Sequence, residues 1–132
     1  MKILIFENDY DLLEDAFNLC NDLYFKSIFT FEVYPKFQDF RDINKLNEYA
    51  LIFVDILLAK KSHLDGFGIL RVLEEKGVAP NKVIILTGHE LLKDEIKERG
   101  INNHYEILTK PIYLKALKAI LEKAIPLANP LS

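Results

Sequence analysis

Leu51-Ile52-Phe53-Val54 is an unbroken apolar run that ends in a single carboxylate, Asp55. Alternate side chains of a strand point to opposite sides, so such a run suits a strand covered on both faces. An ionised Asp inside it would carry a large desolvation cost. Asp55 is therefore expected at the carboxyl end of a central strand, where the chain surfaces. Two further runs have the same form. Ile3-Leu4-Ile5-Phe6 ends in Glu7-Asn8-Asp9, and Val83-Ile84-Ile85-Leu86 ends in Thr87-Gly88-His89.

Helical patterns separate these runs. Leu12, Leu13, Ala16, Phe17, Cys20 and Leu23 recur at helical spacing, with Asp9 or Asp11 as a candidate cap. Phe29, Phe31 and Val33 alternate with polar residues, which predicts a half-covered edge strand ended by Pro35. A weaker helical pattern covers Gln38 to Leu46 through Phe40, Ile43 and Leu46. After a loop from Ile56 to Leu64, Asp65 is placed to cap a helix carrying Phe67, Ile69, Leu70, Val72 and Leu73, closed by Gly77 and Pro80. Leu91, Leu92 and Ile96 predict the next helix. Glu90 and Asp94 stand early in it, and Lys97, Arg99 and Gly100 come late. Tyr105 to Leu108 is a short last strand, ending in Thr109-Lys110-Pro111. Leu114, Leu117, Ile120, Leu121 and Ala124 trace a final helix stopped by Pro126 and Pro130.

Strands alternating with helices imply a parallel sheet with helices on both faces. The continuously apolar strands one, three and four are central, and strands two and five are edges. The expected architecture is α/β: a five-stranded (βα)5 sheet of order 2-1-3-4-5, the flavodoxin-like doubly wound arrangement. One domain over residues 1–126 with a short tail over 127–132 accommodates the pattern.

In such sheets ligands bind beyond the carboxyl ends of the strands. Glu7, Asn8 and Asp9, then Asp55, then Thr87 and Gly88, then Lys110 converge on that rim. Singly, each is an ordinary cap, turn or solvated lysine. Together they suit phosphoryl chemistry. A carboxylate can act as nucleophile toward phosphorus, and oxygen acids suit a hard dication such as Mg2+. Lys110 would neutralise phosphoryl oxygens, Thr87 would donate to one, and Gly88 would leave room for a backbone N–H to do the same.

The ordered segments ILIFEND, LIFVD, VIILTG and ILTKP resemble the four signature segments of response-regulator receiver domains of two-component phosphorelay signalling. The resemblance spans essentially the whole chain. It implies Asp55 as phosphoacceptor for a histidine kinase or histidine phosphotransfer protein, with Mg2+ as cofactor. It further implies Thr87 as switch hydroxyl, Lys110 as phosphoryl-contacting lysine and a cis peptide before Pro111. Metal ligands would be Glu7, Asn8, Asp55 and the Leu57 carbonyl, with Asp9 as a possible addition.

Certain positions depart from that pattern. Asn8 stands where the family has a second acid, which weakens the expected Mg2+ affinity. Asp65-Gly66 comes later after Asp55 than in the family, so Ala59-Lys60-Lys61-Ser62 is expected to bulge. Ala59 replaces the family's loop proline. Ile107 occupies the aromatic switch position, with Tyr105 two residues before it. These departures keep a second reading open, a pseudo-receiver serving as a phosphorylation-independent interaction module. A flavin protein would need a hydroxyl- and glycine-rich first loop, and an Asp-x-Asp phosphatase would need an acid at Leu57, so both are disfavoured. The expectation is a self-phosphorylating signalling domain, not a metabolic enzyme.

Composition agrees. The net charge of −3 makes no electrostatic case for nucleic acid. No apolar run reaches membrane-spanning length and no signal peptide is evident, so the default location is cytoplasmic. Cys20 is expected as a buried thiol, and His63, His89 and His104 as surface residues without zinc spacing. His89 is also close enough in sequence to Thr87 to touch the rim and influence dephosphorylation. Lys115, Lys118 and Lys123 read as the solvated face of the last helix. By resemblance, the region of the fourth helix, fifth strand and fifth helix is where an output partner or a second copy would dock, the domain acting alone.

Overall fold

The three apolar runs are strands buried on both sides, and they sit together in the middle of one sheet. The structure is a computed structural model that describes residues 1–58, 62–88, 93–102 and 104–125. The strands are β1 (Lys2–Phe6), β2 (Thr30–Tyr34), β3 (Leu51–Asp55), β4 (Val83–Thr87) and β5 (Glu106–Thr109). They pair in parallel in the order β2-β1-β3-β4-β5. The α-helices are α1 (Glu14–Phe25), α2 (Gly66–Glu75), α3 (Lys93–Glu98) and α4 (Leu114–Leu121).

Period-two alternation divides the core. Ile3, Ile5, Leu51, Phe53, Ile84, Leu86 and Leu108 face α1 and α4, where Phe17, Cys20, Leu117 and Leu121 meet them. Leu4, Phe6, Ile52, Val54, Val83 and Ile85 face the other way, onto Ile69, Leu70 and Leu73 of α2 and Ile96 of α3. Both faces of β3 and β4 are therefore covered, as their composition requires. β2 is only half-buried along most of its length, as expected of an edge.

Particular local expectations change. The crossover between β2 and β3 winds in 3-10 turns at Phe37–Asp39 and Ile43–Glu48 instead of an α-helix. Asp39, Asp42, Asn44 and Asn47 punctuate it, and such side chains compete for the backbone bonds of a helix. Phe40, Leu46 and Tyr49 are nevertheless buried there. Neither Asp9 nor Asp11 caps α1. The chain first makes a 3-10 turn at Tyr10–Leu12, and α1 starts after Leu13 without a side-chain cap. Asp65 does cap α2, its Oδ1 accepting from Gly68 N at 2.7 Å. Gly77 and Gly100 follow their helices at φ +71° and +81°, a conformation that glycine adopts without strain.

Cys20 is buried and unbridged, with its thiol pKa raised by burial. His63 and His104 are exposed. The expectations for Ala59, Lys60, Lys61, His89, Glu90, Leu91, Leu92, Pro126 and the tail fall outside the described residues.

Candidate functional site

The alternation that builds the core also builds the site. Glu7 continues the row Ile3-Ile5, Asp55 continues Leu51-Phe53, and Lys110 follows Leu108, so all three belong to the rows that face α1 and α4. The sheet ladder extends past the formal strand ends. Glu7 N donates to Tyr34 O at 3.3 Å, Ile56 N to Leu86 O at 3.0 Å and Lys110 N to Thr87 O at 2.7 Å. The carboxyl edge is thus a continued piece of sheet carrying functional side chains.

Lys110 Nζ lies 2.5 Å from Glu7 Oε1 and 3.7 Å from Asp55 Oδ2. Asp55 Oδ1 accepts from Leu57 N at 3.0 Å, which orients the carboxylate. The Lys110–Pro111 peptide is cis, as the resemblance implied. Glu7, Asp55 and Thr87 are buried, Asn8 and Lys110 are half-buried, and Asp9 and Gly88 are exposed. No heavy atom lies within 4 Å of where a Cβ on Gly88 would be, so the rim is open there.

The electrostatics follow from two acids facing one ammonium. Burial is the first cause that drives the Glu7 carboxyl up, to about 8, and the hydrogen bond and charge of Asp55 add to it. Lys110 opposes the shift without cancelling it. A proton on Glu7 relieves the cost of burying like charges side by side. Glu7 Oε2 otherwise has no hydrogen-bond partner among the described residues.

That orphaned oxygen fits a small hard cation. Mg2+ keeps most of its waters and needs one or two carboxylates from protein. Glu7 and Asp55 supply two, and the Leu57 carbonyl and the Asn8 amide oxygen belong to the adjoining loops. Among the described residues no group of three or more His, Cys, Asp or Glu side chains is arranged for a metal, so Asp9 does not complete a triad with Glu7 and Asp55.

Two features of the site were not anticipated. One is the direct Glu7–Lys110 pairing, between residues expected to serve separate ligands. The other is Gly66. A Cβ there would stand 2.4 Å from Asp55 O and 2.5 Å from Ile56 Cα. The start of α2 therefore presses on the peptide that follows the buried acid. The Asp-Gly pair ahead of an apolar helix is the signal the sequence carries; it gives the cap and the loop length, not this contact.

No family model matches this chain, and no curated protein does. Solved structures do match over nearly its whole length. The receiver domain of a Francisella response regulator is 20% identical, with 93% of this chain and 95% of that one covered at a TM-score of 0.62. The N-terminal domain of a response regulator/sensory box/GGDEF protein from Carboxydothermus hydrogenoformans is 24% identical, covering 94% and 93% at 0.66. The chain has the receiver-domain fold. A third similar structure is the receiver domain of a sensor histidine kinase from Pseudomonas aeruginosa, with a magnesium ion coordinated in its active-site cleft. It is 21% identical, covering 92% and 94% at a TM-score of 0.65. In this receiver fold, Glu7, Asp55, Thr87 and Lys110 stand at the carboxyl ends of strands β1, β3, β4 and β5.

Proposed function

We propose that the chain is a receiver that accepts a phosphoryl group on Asp55 from a phosphohistidine, on a histidine kinase or a phosphotransfer protein, with Mg2+. The observation that carries this is the Asp55 carboxylate at the end of β3, with Lys110 Nζ 3.7 Å from Oδ2 and Oδ1 held by the Leu57 amide. Oδ2 is then the attacking oxygen. The Asp55 Oδ2–phosphorus bond forms as the phosphorus–imidazole nitrogen bond breaks, and the imidazole keeps the electron pair and takes up a proton. Glu7, Asp55, the Leu57 carbonyl and Asn8 would hold Mg2+. When bound, the ion supplies positive charge to the phosphoryl oxygens. Asn8 contributes no charge, so affinity is lower than with a second acid. Asp9, exposed, would act only on the ion's hydration shell.

Once Glu7 is committed to the cation, Lys110 is released to a phosphoryl oxygen. Thr87 donates to another, and the space beside Gly88 admits the group. New charge at the rim then shifts Thr87 and its surroundings between two packings. The domain modifies itself and turns over no metabolite.

The donor would dock on the rim. Leu12, Leu57 and Tyr113 lie on the loops after β1, β3 and β5 and are 83%, 60% and 69% exposed. Large apolar side chains exposed on loops at this end of the sheet favour a protein partner over a small substrate. Output, to a partner protein or a second copy, would use the face of α3, β5 and α4. A cleft of about 330 Å3 lies there, lined by Ile96, Ile101, His104, Tyr105 and Ile107 among others. Among the described residues no helix is long and apolar enough to cross a membrane. A cytoplasmic place without nucleic-acid contact suits this reading.

Asn8 and Ile107 favour the second reading, an interaction module that works without phosphorylation. Incubation with Mg2+ and acetyl phosphate, followed by intact mass, decides between them. A one-phosphoryl gain that disappears in Asp55→Ala supports the receiver. No gain, under conditions that label an ordinary receiver, leaves the interaction module.

A further inference from the structure

The loop from Asp55 to α2 is fastened at both ends by familiar means. At its start, Leu58 N donates to Asp55 O at 3.1 Å, and Ile56 and Leu58 are buried on either side of exposed Leu57. At its finish Asp65 caps α2. Between these ends it has a third attachment, to neither α2 nor β4. Phe37 N donates to Ser62 Oγ at 3.0 Å, Ser62 Oγ donates to Leu64 O at 2.7 Å, and His63 N donates to Gln38 Oε1 at 2.9 Å. The lengthened loop is latched onto the 3-10 turn Phe37–Asp39, which stands where an α-helix was expected.

That turn also touches the other half of the site. The Phe37 ring packs on Phe6 at 5.7 Å between centroids, and Phe6 immediately precedes Glu7. Glu7 N in turn donates to Tyr34 O, at the end of the strand that leads into the turn. One short segment therefore braces both the β1 acid and the loop that carries Leu57. A long loop attached only at its ends samples many positions, and a further attachment, here at Ser62 and His63, narrows that range.

We infer that Ser62 and Gln38 are positioning residues: through this latch they set the Leu57 segment, and with it the orientation of the Asp55 carboxylate. The inference rests on the function proposed above for the role of the Leu57 carbonyl. Ser62 uses its hydroxyl as acceptor and donor at once, which threonine can reproduce and alanine cannot. A contact serving stability alone would lower the melting temperature and leave the cation response of the folded protein unchanged.

The test uses the full chain with Ser62→Ala, Ser62→Thr and Gln38→Ala. Amide exchange is measured without metal, and a Mg2+ titration is followed by amide resonances. Ser62→Ala is expected to speed exchange at Leu57 and Leu58 about tenfold while Ile84 and Ile85 stay at the wild-type rate. It should raise the Mg2+ half-saturation about threefold or more. Ser62→Thr restores both, and Gln38→Ala moves both in the same direction by less. Unchanged exchange at Leu57 and Leu58 overturns the inference. So does faster exchange with an unmoved Mg2+ half-saturation. If the wild type shows no Mg2+ response, the metal part of the proposed function fails, and the exchange rates alone decide the latch.

Discussion

Lys110 Nζ sits 2.5 Å from Glu7 Oε1 and 3.7 Å from Asp55 Oδ2, so one ammonium serves two buried acids. The ammonium balances one negative charge, and burial, with Asp55 beside it, favours the protonated form of Glu7.

Removing the ammonium exposes that arrangement. Lys110→Ala should lose about 2 kcal/mol of stability near pH 9, where Glu7 is ionised, because a buried acid loses its charged hydrogen-bond partner. The loss should shrink near pH 6, where Glu7 is protonated in the fold. Urea unfolding at both pH values checks this, and an equal loss at both would contradict the pairing.

Stability should also depend on pH through Glu7 itself. Its carboxyl titrates at about 4.5 in the unfolded chain and is pushed up to about 8 in the fold, first by burial. Between those values the folded state holds the extra proton, so this contribution is fully present below about 4.5 and is lost as pH rises through about 8. Unfolding midpoints measured with chelator present should fall from mildly acidic to mildly alkaline pH. Glu7→Gln should flatten that slope, since the amide cannot ionise.

Gly66 tests how closely α2 may approach the acid. Gly66→Ala places a methyl 2.4 Å from Asp55 O and should cost about 2 kcal/mol or more, with phosphorylation of Asp55 slowed as its peptide is displaced. Gly68→Ala meets its nearest neighbours in the side chains of Leu64 and Asp65, at 3.2 Å and beyond. Helix propensity offsets that crowding, so it should stay within about 1 kcal/mol of wild type. Thermal melts and phosphorylation rates of the pair separate the two effects.

Asn21 is a structural counterpart. Buried in α1, its amide donates to Phe29 O at 3.0 Å and accepts from Phe29 N at 3.2 Å, so one side chain imitates a strand neighbour at the entrance to β2. Asn21→Leu keeps the γ-branched shape, though it is bulkier, and strands both backbone groups, at a cost of about 2–3 kcal/mol. Denaturant titration would show it, and an unchanged midpoint would mean that water replaces the amide.

Much of this was legible in residue patterns. The runs Ile3–Phe6, Leu51–Val54 and Val83–Leu86 suited covered strands, and the alternation from Phe29 to Val33 marked an edge. The crossover from Gln38 to Leu46 misled because its apolar spacing was helical while its Asp and Asn residues were not. Asp9 and Asp11 were plausible caps by type, but the turn at Tyr10–Leu12 delayed the helix past them. No local pattern announced Ser62 as a latch.

The sequence by itself determined the strand order and the end of the sheet at which Glu7, Asp55, Thr87 and Lys110 emerge, because apolar periodicity is a short-range property that each segment carries alone. Only the tertiary structure decided that Lys110 bonds Glu7 across 103 residues, that Gly66 abuts the Asp55 peptide, and that a turn after β2 holds Ser62. Those contacts are set at ångström scale by sheet register and by the packing of segments far apart in the chain, which no single segment encodes.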